Sequence, residues 1–139
     1  MTLNTQPDDV LEPSKVLVVD DDPQNLELLV AYLEGLPNVV VIAASNGIQA
    51  LNKVAEECPD LILLDVMMPK MSGFEVCRQI KSDPHTRDVQ VIMVTALNEL
   101  GDQERARDCG TDEFLVKPVD RLELIARVKS LLRLRHLKR

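Results

Sequence analysis

Six side chains in this sequence have the types and positions to do chemistry together. Asp20, Asp21 and Asp22 follow the apolar run "KVLVV", Asp65 follows "LILL", Thr95 follows "VQVIMV" and Lys117 follows "EFLV". Carboxylates brought to one edge repel one another, and left alone at least one would hold a proton. A hard divalent cation relieves that repulsion. Oxygen donors suit Mg²⁺, which usually binds through one or two carboxylates plus phosphate oxygens. A lysine facing the same place supplies positive charge for a phosphoryl group, and a threonine hydroxyl can donate to one phosphoryl oxygen. One carboxylate can then act as a nucleophile and form an aspartyl phosphate. Catalysis of phosphoryl transfer is mainly positioning and charge neutralisation, which these groups supply. Asp65 is the best candidate nucleophile, because an unbroken apolar run leads straight into it and would aim it rigidly.

Taken singly, each residue has an ordinary explanation. Asp22 before Pro23 suits a helix cap. Thr95 could cap a helix too, and Lys117-Pro118 could be a surface turn. The joint pattern carries the argument, and it requires a fold that brings these strand ends to one edge.

The chain supplies such a fold. Short runs rich in Val, Ile and Leu fall at 15–19, 39–43, 61–64, 89–94 and 113–116, mostly continuous, as strands buried on both faces read. Stretches of helical period separate them. Leu26, Leu29, Val30 and Leu33 form one stripe, stopped at Gly35. Ile48, Leu51, Val54 and Ala55 form a second, ended by Pro59. Phe74, Cys77, Ile80 and Lys81 form a third. The fourth, about 98–109, is weaker and polar. The fifth starts near Asp120 and runs to the end, with Leu122, Ile125, Val128 and Leu132 expected to face the sheet. Strand and helix alternating in this way predict an α/β fold, a parallel sheet with helices on both faces. Function in such sheets collects at the carboxyl ends of the strands.

Composition sets limits on other functions. The 139 residues suit one domain, 45% of them hydrophobic and only 2% aromatic, so the core must be aliphatic. The net charge of -7 argues against a general nucleic-acid binder. Basic residues do gather at the end: Arg127, Lys129, Arg133, Arg135, Lys138 and Arg139 follow the last acid, Glu123. A basic tail on DNA has no aromatic or motif support. Cys58, Cys77 and Cys109 have no C-x-x-C spacing and read as reduced thiols in a cytoplasmic protein. No stretch approaches the roughly 20 apolar residues of a membrane span, and the polar, acidic start is no signal peptide. His85 and His136 read as exposed, and Asn46-Gly47 as a turn and cap before a helix.

The motifs "VLVVDDD", "DLILLDVMMPKMSGFEVCRQIK", "VIMVTA" and "EFLVKPV", in that order, closely resemble the receiver domain of two-component response regulators, over about residues 15 to 135. The resemblance implies a flavodoxin-like (βα)₅ fold with strand order 2-1-3-4-5. Residues 1–14, polar and acidic, read as a flexible tail; the resemblance implies 15–133 as the receiver and 134–139 as a basic extension of the last helix. It assigns Asp20 and Asp21 to the metal-binding pair, Asp65 to the phosphorylated position, and Met67 to the backbone carbonyl that binds the metal. The metal is Mg²⁺, or Mn²⁺ in its place. Thr95 and Lys117 match the hydroxyl and lysine that hold the phosphoryl group, and the Lys117-Pro118 bond is then expected to be cis. Thr95 and Phe114 match the switch pair. Phe114 lacks the hydroxyl of the Tyr often found there. The implied partners are a histidine kinase or phosphotransfer protein and, in a homodimer, the face of the fourth helix, fifth strand and fifth helix. Small donors such as acetyl phosphate also serve the family. The protein would be a phosphoacceptor that catalyses its own phosphorylation and dephosphorylation.

Met67 and Leu97, two residues beyond Asp65 and Thr95, are apolar and cannot orient an attacking water, so a slowly hydrolysing phosphoryl group is expected. Two rivals remain open. One is an aspartate-nucleophile phosphatase, against which stands Met67 where such enzymes carry a second acid. The other is an interaction module that is never phosphorylated. The chain could act alone or be the receiver of a larger regulator with a C-terminal output domain.

Overall fold

The computed structural model describes residues 12–96, 104 and 107–137. Five strands form one parallel sheet: β1 (Ser14–Val19), β2 (Val39–Ala44), β3 (Leu61–Asp65), β4 (Gln90–Thr95) and β5 (Glu113–Val116). Their order is β2-β1-β3-β4-β5, the expected flavodoxin-like arrangement. The helices are α1 (Pro23–Glu34), α2 (Gly47–Glu57), α3 (Gly73–Ser82) and α4 (Arg121–Leu137). The helical stretch expected at 98–109 lies largely outside the described residues; Glu104, Arg107 and Asp108 within it are helical. Of the expected tail, residues 1–11 lie outside the described residues, and Ser14 already opens β1 beside Val39.

The sheet separates two aliphatic layers, as a sheet covered on both faces must. Leu17, Val19, Ile62, Leu64, Val91 and Met93 face α2 and α3, where Ala50, Val54, Cys77 and Ile80 meet them. Val16, Val18, Leu61, Leu63, Ile92 and Val94 face α1 and α4, against Leu29, Leu33, Leu124, Val128 and Leu132. Strands β3 and β4 are buried at every position, which is why both read as continuous apolar runs.

Each of the first three helices starts on a side-chain cap. Asp22 accepts from Gln24 N at 3.1 Å, with Pro23 in the first turn. Asn46 accepts from Gln49 N at 2.8 Å, and Ser72 accepts from Glu75 N at 3.3 Å. Two expected faces are corrected. On α2 the buried residues are Gly47, Ala50 and Val54, while Ile48 is 57% exposed. On α4, Leu122 is 72% exposed and Leu124, Val128, Leu131 and Leu132 are buried. Val128 and Leu132 are buried as expected and Ile125 packs against them in part, but Leu122 points outward and Leu124 and Leu131 complete the face.

His136 is also corrected. Its side chain is only 8% exposed, with Nδ1 3.2 Å from Glu12 Oε2 and Nε2 2.8 Å from Ser14 Oγ. His85, by contrast, is 93% exposed. No described helix is long and apolar enough to cross a membrane.

Candidate functional site

The site lies where the parallel ladder runs past the strand ends. Asp20 N donates to Ala44 O, Val66 N to Val94 O and Lys117 N to Thr95 O at 2.7 Å, so strand geometry continues through each key position. Alternation then decides where side chains point. Asp20 has the parity of Val16 and Val18, Asp65 that of Leu61 and Leu63, and Lys117 that of Leu115, all facing α1 and α4. The three converge for that reason. Lys117 Nζ lies 3.2 Å from Asp65 Oδ1 and 3.5 Å from Asp20 Oδ2. Asp20 and Asp65 are almost fully buried and Asp21 is exposed. One carboxylate oxygen from each of Asp20, Asp21 and Asp65 lies within 4.8 Å of the others.

Asp20 is held firmly. Asp22 N donates to its Oδ1 at 2.9 Å, and the Asn25 side-chain amide donates to its Oδ2. Asp65 is held less completely. Its Oδ1 is buried and has the Lys117 ammonium as charge partner, but no aligned hydrogen-bond donor. Burial first, then the Asp20 charge, push the Asp65 carboxyl up to about 6 against the pull of Lys117. Burial opposes the charge on Lys117, yet Asp65 and Asp20 together overcome it and hold the ammonium above the usual lysine range. The residues therefore fit a hard cation: the donors are all oxygen, the carboxylates repel, and one buried oxygen lacks a donor.

Thr95 is fully buried at the end of β4. It has the parity of Val91 and Met93, so it projects toward the opposite layer from Asp65. Phe114 pairs in register with Met93 and packs in that same layer. Thr95 and Phe114 therefore share one face of the sheet, one pleat apart on adjacent strands. The Lys117-Pro118 bond is cis, as expected. Met67 follows Asp65 in the loop with its side chain 59% exposed. Leu97 lies outside the described residues.

Three features escaped the sequence reading. A Cβ on Gly73 would lie 2.2 Å from Asp65 O, so the start of α3 can press on the Asp65 backbone only with glycine there. Ser72 is the α3 cap, which only its place before a helical stripe could have signalled. Asn25, one turn into α1, contacts Asp20, and nothing in its neighbourhood marks it.

Residues 16–129 match the family described as the response regulator receiver domain. The response regulator PleD of Caulobacter vibrioides is 47% identical over 120 residues, which make up 86% of this chain and 26% of PleD. A CheY-like response regulator receiver domain protein from Methanospirillum hungatei JF-1 superposes with a TM-score of 0.83 at 26% identity, covering 94% of this chain and all of that one. The receiver domain of the sensor histidine kinase PA1611 from Pseudomonas aeruginosa PAO1, solved with a magnesium ion coordinated in its active site cleft, superposes with a TM-score of 0.78 at 30% identity. It covers 86% of this chain and 97% of that one. The chain spans between 26% and 50% of the length of curated relatives that it matches.

Proposed function

The chain belongs to the response regulator receiver family, and from that premise we propose that it accepts a phosphoryl group on Asp65. The observation that carries this is the Lys117 ammonium 3.2 Å from Asp65 and 3.5 Å from Asp20, inside a cluster of three carboxylates. Asp20, Asp21, Asp65 and the backbone carbonyl of Met67 would hold Mg²⁺, or Mn²⁺, which supplies neutralising charge for the phosphoryl oxygens. Asp65 forms the new O–P bond as the donor's own bond to phosphorus breaks. Its carboxyl titrates at about 6, so it is ionised and nucleophilic at neutral pH. Lys117 keeps its proton and pairs with the incoming charge, and Thr95, which starts on the opposite face, turns its hydroxyl toward a phosphoryl oxygen. These groups position and neutralise, which is most of what phosphoryl transfer needs.

The donor is a histidine kinase or phosphotransfer protein, or a small acyl phosphate. The protein catalyses its own labelling and hydrolysis rather than turning over a separate substrate, and it works in the cytoplasm, where free thiols such as its three cysteines persist. The output surface is assigned to β5 and α4, where Val116 and Leu122 are exposed apolar side chains, together with the helix expected at 98–109, most of which lies outside the described residues. It serves a protein partner or a second copy, and light scattering with beryllofluoride, an acyl-phosphate mimic, separates the two.

The test is labelling by acetyl phosphate. The parent should incorporate one phosphoryl group only with Mg²⁺ or Mn²⁺, and Asp65→Asn none. Steady release of phosphate from a generic phosphate ester would instead favour the phosphatase reading.

A further inference from the structure

Cys77 and Cys109 are buried side by side and take no part in the site above. Cys77, on α3, is fully buried, and Cys109, just before the positive-φ turn at Gly110, is 3% exposed. The Cys77 thiol donates to the carbonyl oxygen of Cys109 at 3.4 Å, so its sulfur lies against that residue. Both belong to the layer that holds Met93 and Phe114.

Their acidities differ. The neighbouring Cys77 thiol brings the Cys109 sulfur down to about 7. The contact with Cys109, then burial, push the Cys77 thiol far up. One sulfur favouring the thiolate beside one that keeps its proton is the pairing that thiol oxidation uses, an attacking thiolate with a resolving partner. Asp108 and Gly110 on either side of Cys109 are exposed, so opening of this one turn admits a molecule the size of hydrogen peroxide.

We propose that Cys77 and Cys109 form a peroxide-sensitive modification site that closes an intramolecular disulfide between α3 and the chain entering β5. The Cys109 thiolate attacks one peroxide oxygen, the O–O bond breaks, hydroxide leaves, and a sulfenic acid forms. The Cys77 sulfur then attacks the Cys109 sulfur, its proton passes to the departing oxygen, and water leaves. The two thiols lose two electrons and two protons, and peroxide is reduced to two waters. The bond would tie α3 to the turn that leads into β5, and so restrain the layer in which Phe114 packs.

The test uses Cys58→Ser, which removes the exposed thiol and leaves only the buried pair. After treatment with hydrogen peroxide and alkylation, the protein should remain monomeric and lose two hydrogen masses. Both alkylation sites should vanish, a non-reduced digest should yield a peptide joining Cys77 to Cys109, and dithiothreitol should restore both thiols. The proposal is overturned if both thiols remain alkylatable after unfolding, or if Cys109 over-oxidises while Cys77 stays free. A second variant, Cys58→Ser with Cys77→Ala, should accumulate a sulfenic acid that dimedone traps on Cys109.

Discussion

At the scale of single residues, Asp65 combines burial, a like-charged neighbour and an unsatisfied oxygen, and each has a measurable consequence. Its carboxyl is raised from 3.8 to about 6. The folded protein therefore holds this proton more tightly than the unfolded chain. Stability from this group is greatest below pH 4, falls as pH rises toward 6, and the penalty is complete above 6. In chelator, Asp65→Asn should be more stable than the parent at pH 7.5, by up to about 3 kcal/mol, and the advantage should vanish near pH 4. Urea melts at the two pH values check this. Mg²⁺ should stabilise the parent at pH 7.5 and leave Asp65→Asn much less affected. Beside Asp65, the exposed Met67 side chain offers nothing to orient water. Met67→Asn should shorten the phosphoryl lifetime roughly tenfold, followed by the decay of trapped label. That Asp20, Asp21, Asp65 and Lys117 meet was legible in the sequence, because Asp20, Asp65 and Lys117 each directly follow an apolar run and Asp21 adjoins the first of them. Asn25 was not, because its contact with Asp20 depends on how α1 leaves the sheet.

At the scale of elements, the strands were legible to within a residue, because burial on both faces writes continuous Val, Ile and Leu. The helix faces were less so. Ile48 and Leu122 look like core residues by type, yet both are exposed. The angle at which a helix lies on the sheet selects one of several apolar sets, and period alone cannot choose among them. Gly73 shows the same limit: a glycine reads as a turn, and only the fold reveals that α3 needs its missing side chain. Gly73→Ala should destabilise by roughly 2–4 kcal/mol, since the clash is with the Asp65 backbone rather than a flexible side chain. Thermal melts check the loss, and Mg²⁺ affinity should fall with it if the Asp65 loop shifts.

At the scale of the whole molecule, the two edges of the sheet have different work. The carboxyl edge gathers the acidic cluster and Lys117. The opposite edge joins the start of β1 to the end of α4: Asp60 accepts from Lys15 N at 2.9 Å and lies 3.5 Å from Arg135 Nε, and His136 sits between Ser14 and Glu12. Long-range pairing of this kind leaves no sequence signal, so His136 read as an exposed residue. His136→Ala should cost roughly 1–2 kcal/mol in urea unfolding while leaving Mg²⁺ affinity unchanged, because the change lies at the far edge. The measurement that bears most directly on the account is chemical identification of the labelled residue. The parent is treated with acetyl phosphate and Mg²⁺, reduced with borohydride, which converts an aspartyl phosphate to homoserine, and its peptides are sequenced by mass spectrometry. Homoserine at position 65 and nowhere else is the predicted result. Homoserine at Asp20 or Asp21, or label that survives in Asp65→Asn, would contradict it.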